Sequence, residues 1–106
     1  MNKMRLGKSE LMVSRVGFGA IPIQRLNDED AMAVVKRCVE LGMTYLDTAN
    51  AYSTSEMRMG RALEDRKEKV IIATKSASRD PEGISAHLAQ SLKMLKVDSI
   101  DLYQFH

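Results

Sequence analysis

The sequence has little of what marks secreted, membrane-spanning or nucleic-acid-binding proteins. Its single cysteine, Cys38, cannot form a disulfide within the chain, which fits a reducing compartment. No apolar run approaches the ~20 residues of a membrane span, and the basic N-terminus leads into no long apolar stretch, which argues against a secretory signal. The net charge of +2 is too small to indicate binding to nucleic acid or to a membrane surface. We therefore expect a cytoplasmic protein that binds neither.

Two kinds of binding site are also absent from the sequence. No pair of cysteine or histidine residues has the spacing of metal ligands, so no metal site is predicted. The segment Gly17-Phe18-Gly19 begins like a dinucleotide-binding loop, but Pro22 stands where the third glycine of Gly-x-Gly-x-x-Gly would be. A Rossmann-type loop is therefore excluded.

What the sequence does contain is an alternation of short apolar runs and amphipathic stretches. Residues 4–6 and 11–13 read as two short strands joined by a turn with a glycine. The further predicted strands are 16–20, 43–46, 70–74 and 98–105, and the predicted helices are 28–41, 55–64 and one that begins at Pro81. Strands that alternate with helices favour a parallel sheet with right-handed crossovers. The pattern fits both an open doubly wound sheet and a barrel.

Local signals mark the ends and faces of the helices. Asn27 and Asp80 are good N-caps for the first and third helices, and Gly42 is placed to end the first. Ser53 or Thr54 is expected to cap the second helix. The spacing of Met57, Gly60 and Leu63 predicts its buried face, and the third helix has its own apolar stripe: Ile84, Leu88, Leu92 and Leu95.

Polar side chains stand at the ends of three predicted strands. Asp47, Lys75 and His106 each close an apolar run, and Tyr52 lies in the loop that follows Asp47. In parallel sheets and barrels, the residues that carry the chemistry lie at the C-terminal ends of strands. We therefore expect these four side chains to meet at one site.

The four residue types suit the reduction of a carbonyl group. A tyrosine phenol has a free pKa near about 10, and a nearby lysine cation makes such a phenol a better acid by favouring the phenolate. A carboxylate orients the lysine, and a histidine can donate a hydrogen bond to a carbonyl oxygen that gains negative charge. The predicted roles are Tyr52 as proton donor, Lys75 as its tuner, Asp47 as anchor and His106 as carbonyl orienter. Side chains carry no hydride, so a nicotinamide cofactor is implied.

Other interpretations of these residues stay open from the sequence. Taken singly, Asp47 fits a turn, Tyr52 an ordinary surface or core position, and His106 a chain end. Lys75 differs because an ammonium at the end of an apolar strand needs a partner. An aldolase with Lys75 as Schiff-base nucleophile is an alternative enzyme class, although it gives no role to the spacing of Asp47 and Tyr52.

Together these motifs resemble the aldo-keto reductase family. The resemblance rests most on Leu46-Asp47-Thr48-Ala49 with Tyr52 and Ser55-Glu56, on Ile72-Ala73-Thr74-Lys75, and on Asp101-Leu102 with His106. It implies that the family's catalytic tetrad falls on Asp47, Tyr52, Lys75 and His106, and that early cofactor contacts fall on Gly19, Ala20, Ile21 and Asp47. Ser53 departs from the pattern, because many members have glycine after the tyrosine.

The resemblance also implies a fold and its ligands. The expected fold is a parallel (β/α) barrel of TIM type, with residues 1–106 as its N-terminal half: a short β-hairpin, then about four β/α units, and no second domain. The implied ligands are NADPH or NADH and a small-molecule carbonyl substrate. Because such a barrel takes about 250 residues, we expect a fragment with little activity alone, which self-associates or pairs with a C-terminal half. The alternative role is a non-catalytic, cofactor-sensing subunit of a larger assembly.

Overall fold

The computed structural model describes residues 1–66 and 69–106. It contains six strands, three α-helices and one 3₁₀ helix within those ranges. The strands are β1 (Lys3–Arg5), β2 (Met12–Ser14), β3 (Phe18–Gly19), β4 (Tyr45–Asp47), β5 (Ile71–Ser76) and β6 (Leu102–Phe105). The helices are the 3₁₀ helix Pro22–Arg25, α1 (Asp28–Glu40), α2 (Ser55–Leu63) and α3 (Pro81–Leu95). Each of these helices is too short and too polar to cross a membrane.

The sheet has the order of a barrel. Strands β1 and β2 form the expected antiparallel hairpin, and β3, β4, β5 and β6 form a parallel sheet in chain order. A doubly wound sheet would reverse its strand order at a switch point, whereas here each strand lies beside its predecessor. The expectation of a parallel α/β fold of barrel type is confirmed, with four parallel strands and three helices between them.

The helices cover one face of this sheet, which we call the helix face. Leu46 and Ile72 on that face are buried in one cluster with Val35, Met59 and Leu95, which come from α1, α2 and α3 respectively. Side chains alternate between the two faces of a strand, so the neighbours of Leu46 and Ile72 point the other way. We call the opposite face, which carries Asp47 and Lys75, the site face.

The predicted caps of α1 and α3 are present. Asn27 Oδ1 accepts a hydrogen bond from the Asp30 N–H at 2.8 Å, and Asp80 Oδ1 accepts one from the Gly83 N–H at 2.7 Å. Gly42 has φ of 93°, the left-handed conformation that glycine adopts freely at the end of a helix. Local signals were sufficient here because both partners of each cap are close in sequence.

The prediction for α2 was only partly right. Thr54 occupies the N-cap position but makes no side-chain cap bond. The residues of α2 that are buried are Ser55, Glu56, Met59, Gly60 and Ala62. Met57 and Leu63 are half-buried. The helix is turned in this way because Gly60 lies against the backbone of α3, where a Cβ would overlap the carbonyl oxygen of Met94.

The strands differ from their predicted bounds by one to four residues at an end, and pairing explains the start of β6. β4 begins at Tyr45, later than predicted, and ends at Asp47 as predicted, where Asp47 pairs with Gly19 on one side and Ala73 on the other. β6 begins at Leu102, since the preceding Asp101 uses its carboxylate to accept the Ile72 N–H at 2.9 Å. The start of β6 depends on a neighbouring strand and is therefore invisible to a local sequence pattern.

Candidate functional site

Parallel pairing brings the C-terminal ends of the strands to one edge of the sheet. Gly19 is the register partner of Asp47, and Lys75 is the register partner of Gln104. The side chains of Asp47, Lys75 and Gln104 all make contacts on the site face. Thr74, which precedes Lys75 on β5, points to the helix face, where its hydroxyl donates to Glu56. The polar residues predicted at strand ends therefore do converge.

Asp47 and Lys75 form the tightest pair of this edge. Lys75 Nζ donates to Asp47 Oδ2 at 2.6 Å and to the Thr48 carbonyl oxygen at 2.8 Å. The Lys75 side chain is 15% exposed and that of Asp47 is 34% exposed, so the pair lies between core and solvent. An ion pair in such a setting is less screened than one on the open surface. Lys75 thus has the partner that its position required.

Tyr52 and His106 complete the group of four. Lys75 Nζ lies 5.3 Å from the centroid of the Tyr52 ring. The rings of Tyr52 and His106 meet edge to face, with centroids 5.4 Å apart and an interplanar angle of 89°. Tyr52 is half-buried and His106 is exposed. Lys75 is thus in contact with Asp47 and Tyr52, and Tyr52 with His106.

The loop that carries Tyr52 is fixed by backbone bonds to β5. Thr48 N–H donates to the Ala73 carbonyl at 2.9 Å and Asn50 N–H donates to that of Lys75 at 3.1 Å. Ser55 N–H closes the turn on the Tyr52 carbonyl at 2.8 Å. The position of Tyr52 relative to Lys75 is therefore set by main-chain contacts, which a change of side chain elsewhere in the loop would not remove.

Ser53 occupies a strained position in the same loop. Its φ of 39° lies in the left-handed region, which explains why glycine would be favoured there. The Ser53 hydroxyl donates to Gln24 Oε1 at 2.9 Å and so ties the loop to the 3₁₀ helix. This hydrogen bond partly offsets the cost of a non-glycine residue.

The residues expected to contact a cofactor differ in how far they are exposed to solvent. Gly19 is exposed and an added Cβ would meet nothing within 4 Å, and Ile21 is 49% exposed. Ala20 is 0% exposed, its N–H donates to the Asp47 carbonyl at 2.9 Å and its carbonyl accepts from the Ser55 hydroxyl at 2.9 Å. Open surface beside Asp47 is therefore offered by Gly19 and Ile21, with Ala20 as their support.

Gln104 was not foreseen from the sequence. Its Nε2 donates to Asp47 Oδ1 at 3.2 Å, on the carboxylate oxygen that Lys75 leaves free. One sequence signal could have found it: Gln104 lies two residues before His106, and residues two apart share a face of a strand.

Two titratable side chains outside this group, Tyr45 and Cys38, have raised pKa values. Burial raises the pKa of the Tyr45 phenol, the charge of Asp47 raises it further, and that of Lys75 partly opposes both. Burial also raises the pKa of the Cys38 thiol. Both groups therefore keep their protons at neutral pH, which argues against Tyr45 as a phenolate base and against Cys38 as a thiolate nucleophile. No cluster of metal-ligating side chains occurs within residues 1–66 and 69–106.

Over nearly its whole length, the chain is similar to an oxidoreductase and to a probable aldo-keto reductase. It is 35% identical to the uncharacterized oxidoreductase YqkF of Bacillus subtilis, with 100% of this chain and 39% of that protein aligned. It is 34% identical to probable aldo-keto reductase 1 of Glycine max, with 97% of this chain and 35% of that protein aligned. The chain thus spans between a third and two fifths of the length of these relatives.

A solved structure agrees with this similarity. The holo form of aldo-keto reductase AKR11C1 from Bacillus halodurans superposes with a TM-score of 0.89 and 35% identity, over 100% of this chain and 40% of that one. The model of the aldo/keto reductase family matches residues 15–106, which include Asp47, Tyr52, Lys75 and His106. The chain belongs to the aldo/keto reductase family.

Proposed function

We propose that this chain supplies the proton-transfer site of an oxidoreductase that reduces aldehydes or ketones to alcohols with NADPH or NADH. The observation that supports it most is the contact of one ammonium, Lys75, with both a carboxylate and a phenol: 2.6 Å to Asp47 Oδ2 and 5.3 Å to the Tyr52 ring centroid. A cation so placed stabilises the negative charge that forms on the phenol oxygen as Tyr52 gives up its proton.

Each of the four residues then has one task. Tyr52 gives its proton to the carbonyl oxygen as that oxygen gains negative charge. Lys75 stabilises the phenolate left behind, and Asp47 holds the Lys75 side chain in place. His106, edge to face with Tyr52 at 5.4 Å and exposed on its other side, donates a hydrogen bond that orients the substrate oxygen.

We expect a cofactor to bind on the site face beside these residues. When bound, a nicotinamide cofactor would supply the hydride that protein side chains lack. Gly19 would allow close approach, because it is exposed and free of neighbours above its Cα, and Ile21 would add apolar surface. Asp47, with its side chain 34% exposed, would present carboxylate oxygens to the same region.

The aldolase alternative fits the geometry less well. A Schiff-base lysine must have its nitrogen lone pair free to attack a carbonyl carbon. Lys75 Nζ instead donates to both Asp47 and the Thr48 carbonyl. These two hydrogen bonds suit a group that pairs with a carboxylate better than they suit a nucleophile.

The test must allow for the length of the chain. The chain covers 40% of the Bacillus halodurans aldo-keto reductase, so we expect the isolated 106 residues to reduce carbonyls poorly or not at all. A chimera, in which residues 1–106 replace the matching segment of that reductase, should consume NADPH or NADH when given an aldehyde. A folded chimera without turnover would contradict the proposed function. Efficient turnover by the isolated chain would contradict its expected weakness.

A further inference from the structure

The Asp47 carboxylate is held at both of its oxygens. Lys75 Nζ donates to Oδ2 at 2.6 Å, and Gln104 Nε2 donates to Oδ1 at 3.2 Å. The second contact spans three strands, because Gln104 lies on β6, pairs in register with Lys75 on β5, and reaches Asp47 on β4. One amide thus ties the far strand of the sheet to the carboxylate at its centre.

We propose that Gln104 is a positioning residue that fixes the Asp47 carboxylate so that Oδ2 faces Lys75 and Lys75 stays beside Tyr52. The inference rests on the proposed function, since the orientation of Lys75 matters to turnover only if Tyr52 is the proton donor. Gln104 acts through Asp47 and needs no contact with substrate or cofactor.

The argument depends on what a carboxylate does when only one oxygen is held. Asp47 has a side chain 34% exposed, so without Gln104 water would hydrate Oδ1 and the carboxylate could rotate about its Cβ–Cγ bond. A half-turn only exchanges the two equivalent oxygens, but a partial rotation moves the acceptor away from Lys75. A donor fixed on a strand removes that freedom before the substrate binds, which is how preorganised contacts favour a transition state.

The neutrality of the amide matters as well. A lysine or arginine at position 104 would compete with Lys75 for Asp47, and a glutamate would repel Asp47 and draw Lys75 away. An amide donates to the carboxylate without either effect. The residue type at this position therefore matches the task.

The main test uses kinetics in the chimera described above. Gln104→Met keeps the length of the side chain and removes its donor. We expect kcat to fall about tenfold, the effect of losing one hydrogen bond to a charged group, with KM changed by less than about twofold because substrate binding is not involved. Tyr103→Phe is the matched control: it removes the weak bond of Tyr103 Oη to the Ile84 carbonyl at 3.4 Å from the same strand, and it should leave kcat unchanged.

A double-mutant cycle decides whether Gln104 works through Asp47. If it does, adding Gln104→Met to Asp47→Ala should lower kcat no further than Asp47→Ala alone. A full additional loss in the double variant, or a loss confined to KM, would overturn the proposal and indicate a direct contact with substrate or cofactor.

A spectroscopic arm separates this proposal from the proposed function. In the ¹⁵N-labelled 106-residue chain, or in the labelled chimera if the chain alone does not fold, Asp47→Ala should shift the side-chain amide protons of Gln104, whereas Glu64→Ala at a distant surface pair should not. An unmoved Gln104 amide would refute the positioning role even in an active enzyme. A folded but inactive chimera would refute the proposed function. The amide shift would still test whether Gln104 contacts Asp47.

Discussion

The two faces of the sheet each hold a carboxylate beside β5, and they hold it differently. On the site face, Asp47 receives the Lys75 ammonium at 2.6 Å with its side chain 34% exposed. On the helix face, Glu56 is 4% exposed. Its carboxylate accepts a hydrogen bond at 2.7 Å from the hydroxyl of Thr74, the residue next to Lys75. Thr74 and Lys75, which are consecutive on β5, therefore take part in two different contacts. Lys75 forms a partly exposed ion pair with Asp47, and Thr74 forms a buried hydrogen bond with Glu56.

The contrast shows what distinguishes a site from a support in this fold. Both carboxylates satisfy hydrogen-bonding needs, but only Asp47 neutralises a cation that also contacts a phenol. Glu56 lies on α2, and α2 packs against the backbone of α3 at Gly60. We infer that the helix face fixes the strand and the site face uses the rigidity so gained.

The largest expected effect comes from breaking the pair on the site face. Lys75→Met in the chimera should lower kcat for carbonyl reduction by about 10²–10⁴-fold, the usual contribution of acid–base catalysis, because the phenolate of Tyr52 loses its cation. Lys96→Met is the matched control, since Lys96 pairs with Glu64 at 3.0 Å with side chains 44% and 57% exposed. Steady-state kinetics of both variants measure the difference. If both variants lost kcat equally, Lys75 would have no role beyond that of a lysine in an ordinary surface ion pair.

Much of the site face could be predicted because its logic is topological. Once strands alternate with helices, residues such as Asp47 and Lys75 at strand ends must lie at one edge, whatever the details of packing. Gln104 and the Glu56–Thr74 contact were missed, because each depends on the register between distant segments. The buried face of α2 was misjudged for a related reason: Gly60 faces α3 through backbone contact, which no hydrophobic pattern records.

A pair of glycines tests the contrast in packing between the faces. Gly60→Ala would drive a Cβ into the carbonyl oxygen of Met94, and we expect it to lower the free energy of unfolding by about 3 kcal/mol, the upper part of the range for overpacking. Gly19→Ala would meet nothing within 4 Å and should change it by less than about 0.5 kcal/mol. Urea unfolding of the 106-residue chain compares the two. Similar losses in the free energy of unfolding would show that the two faces of the sheet are packed alike.

The smallest expected effect sharpens the contrast between the two carboxylates. Glu56→Ala leaves the buried Thr74 hydroxyl without its acceptor, and the free energy of unfolding should fall by roughly 1–3 kcal/mol. Glu56→Gln keeps an oxygen to accept that hydroxyl while it removes the charge, so the loss should stay below about 1 kcal/mol. Glu64→Ala, at the exposed pair with Lys96, should change stability by less than about 0.5 kcal/mol. If Glu56→Gln costs as much as Glu56→Ala, the charge of Glu56 matters as that of Asp47 does, and the helix face does more than fix the strand.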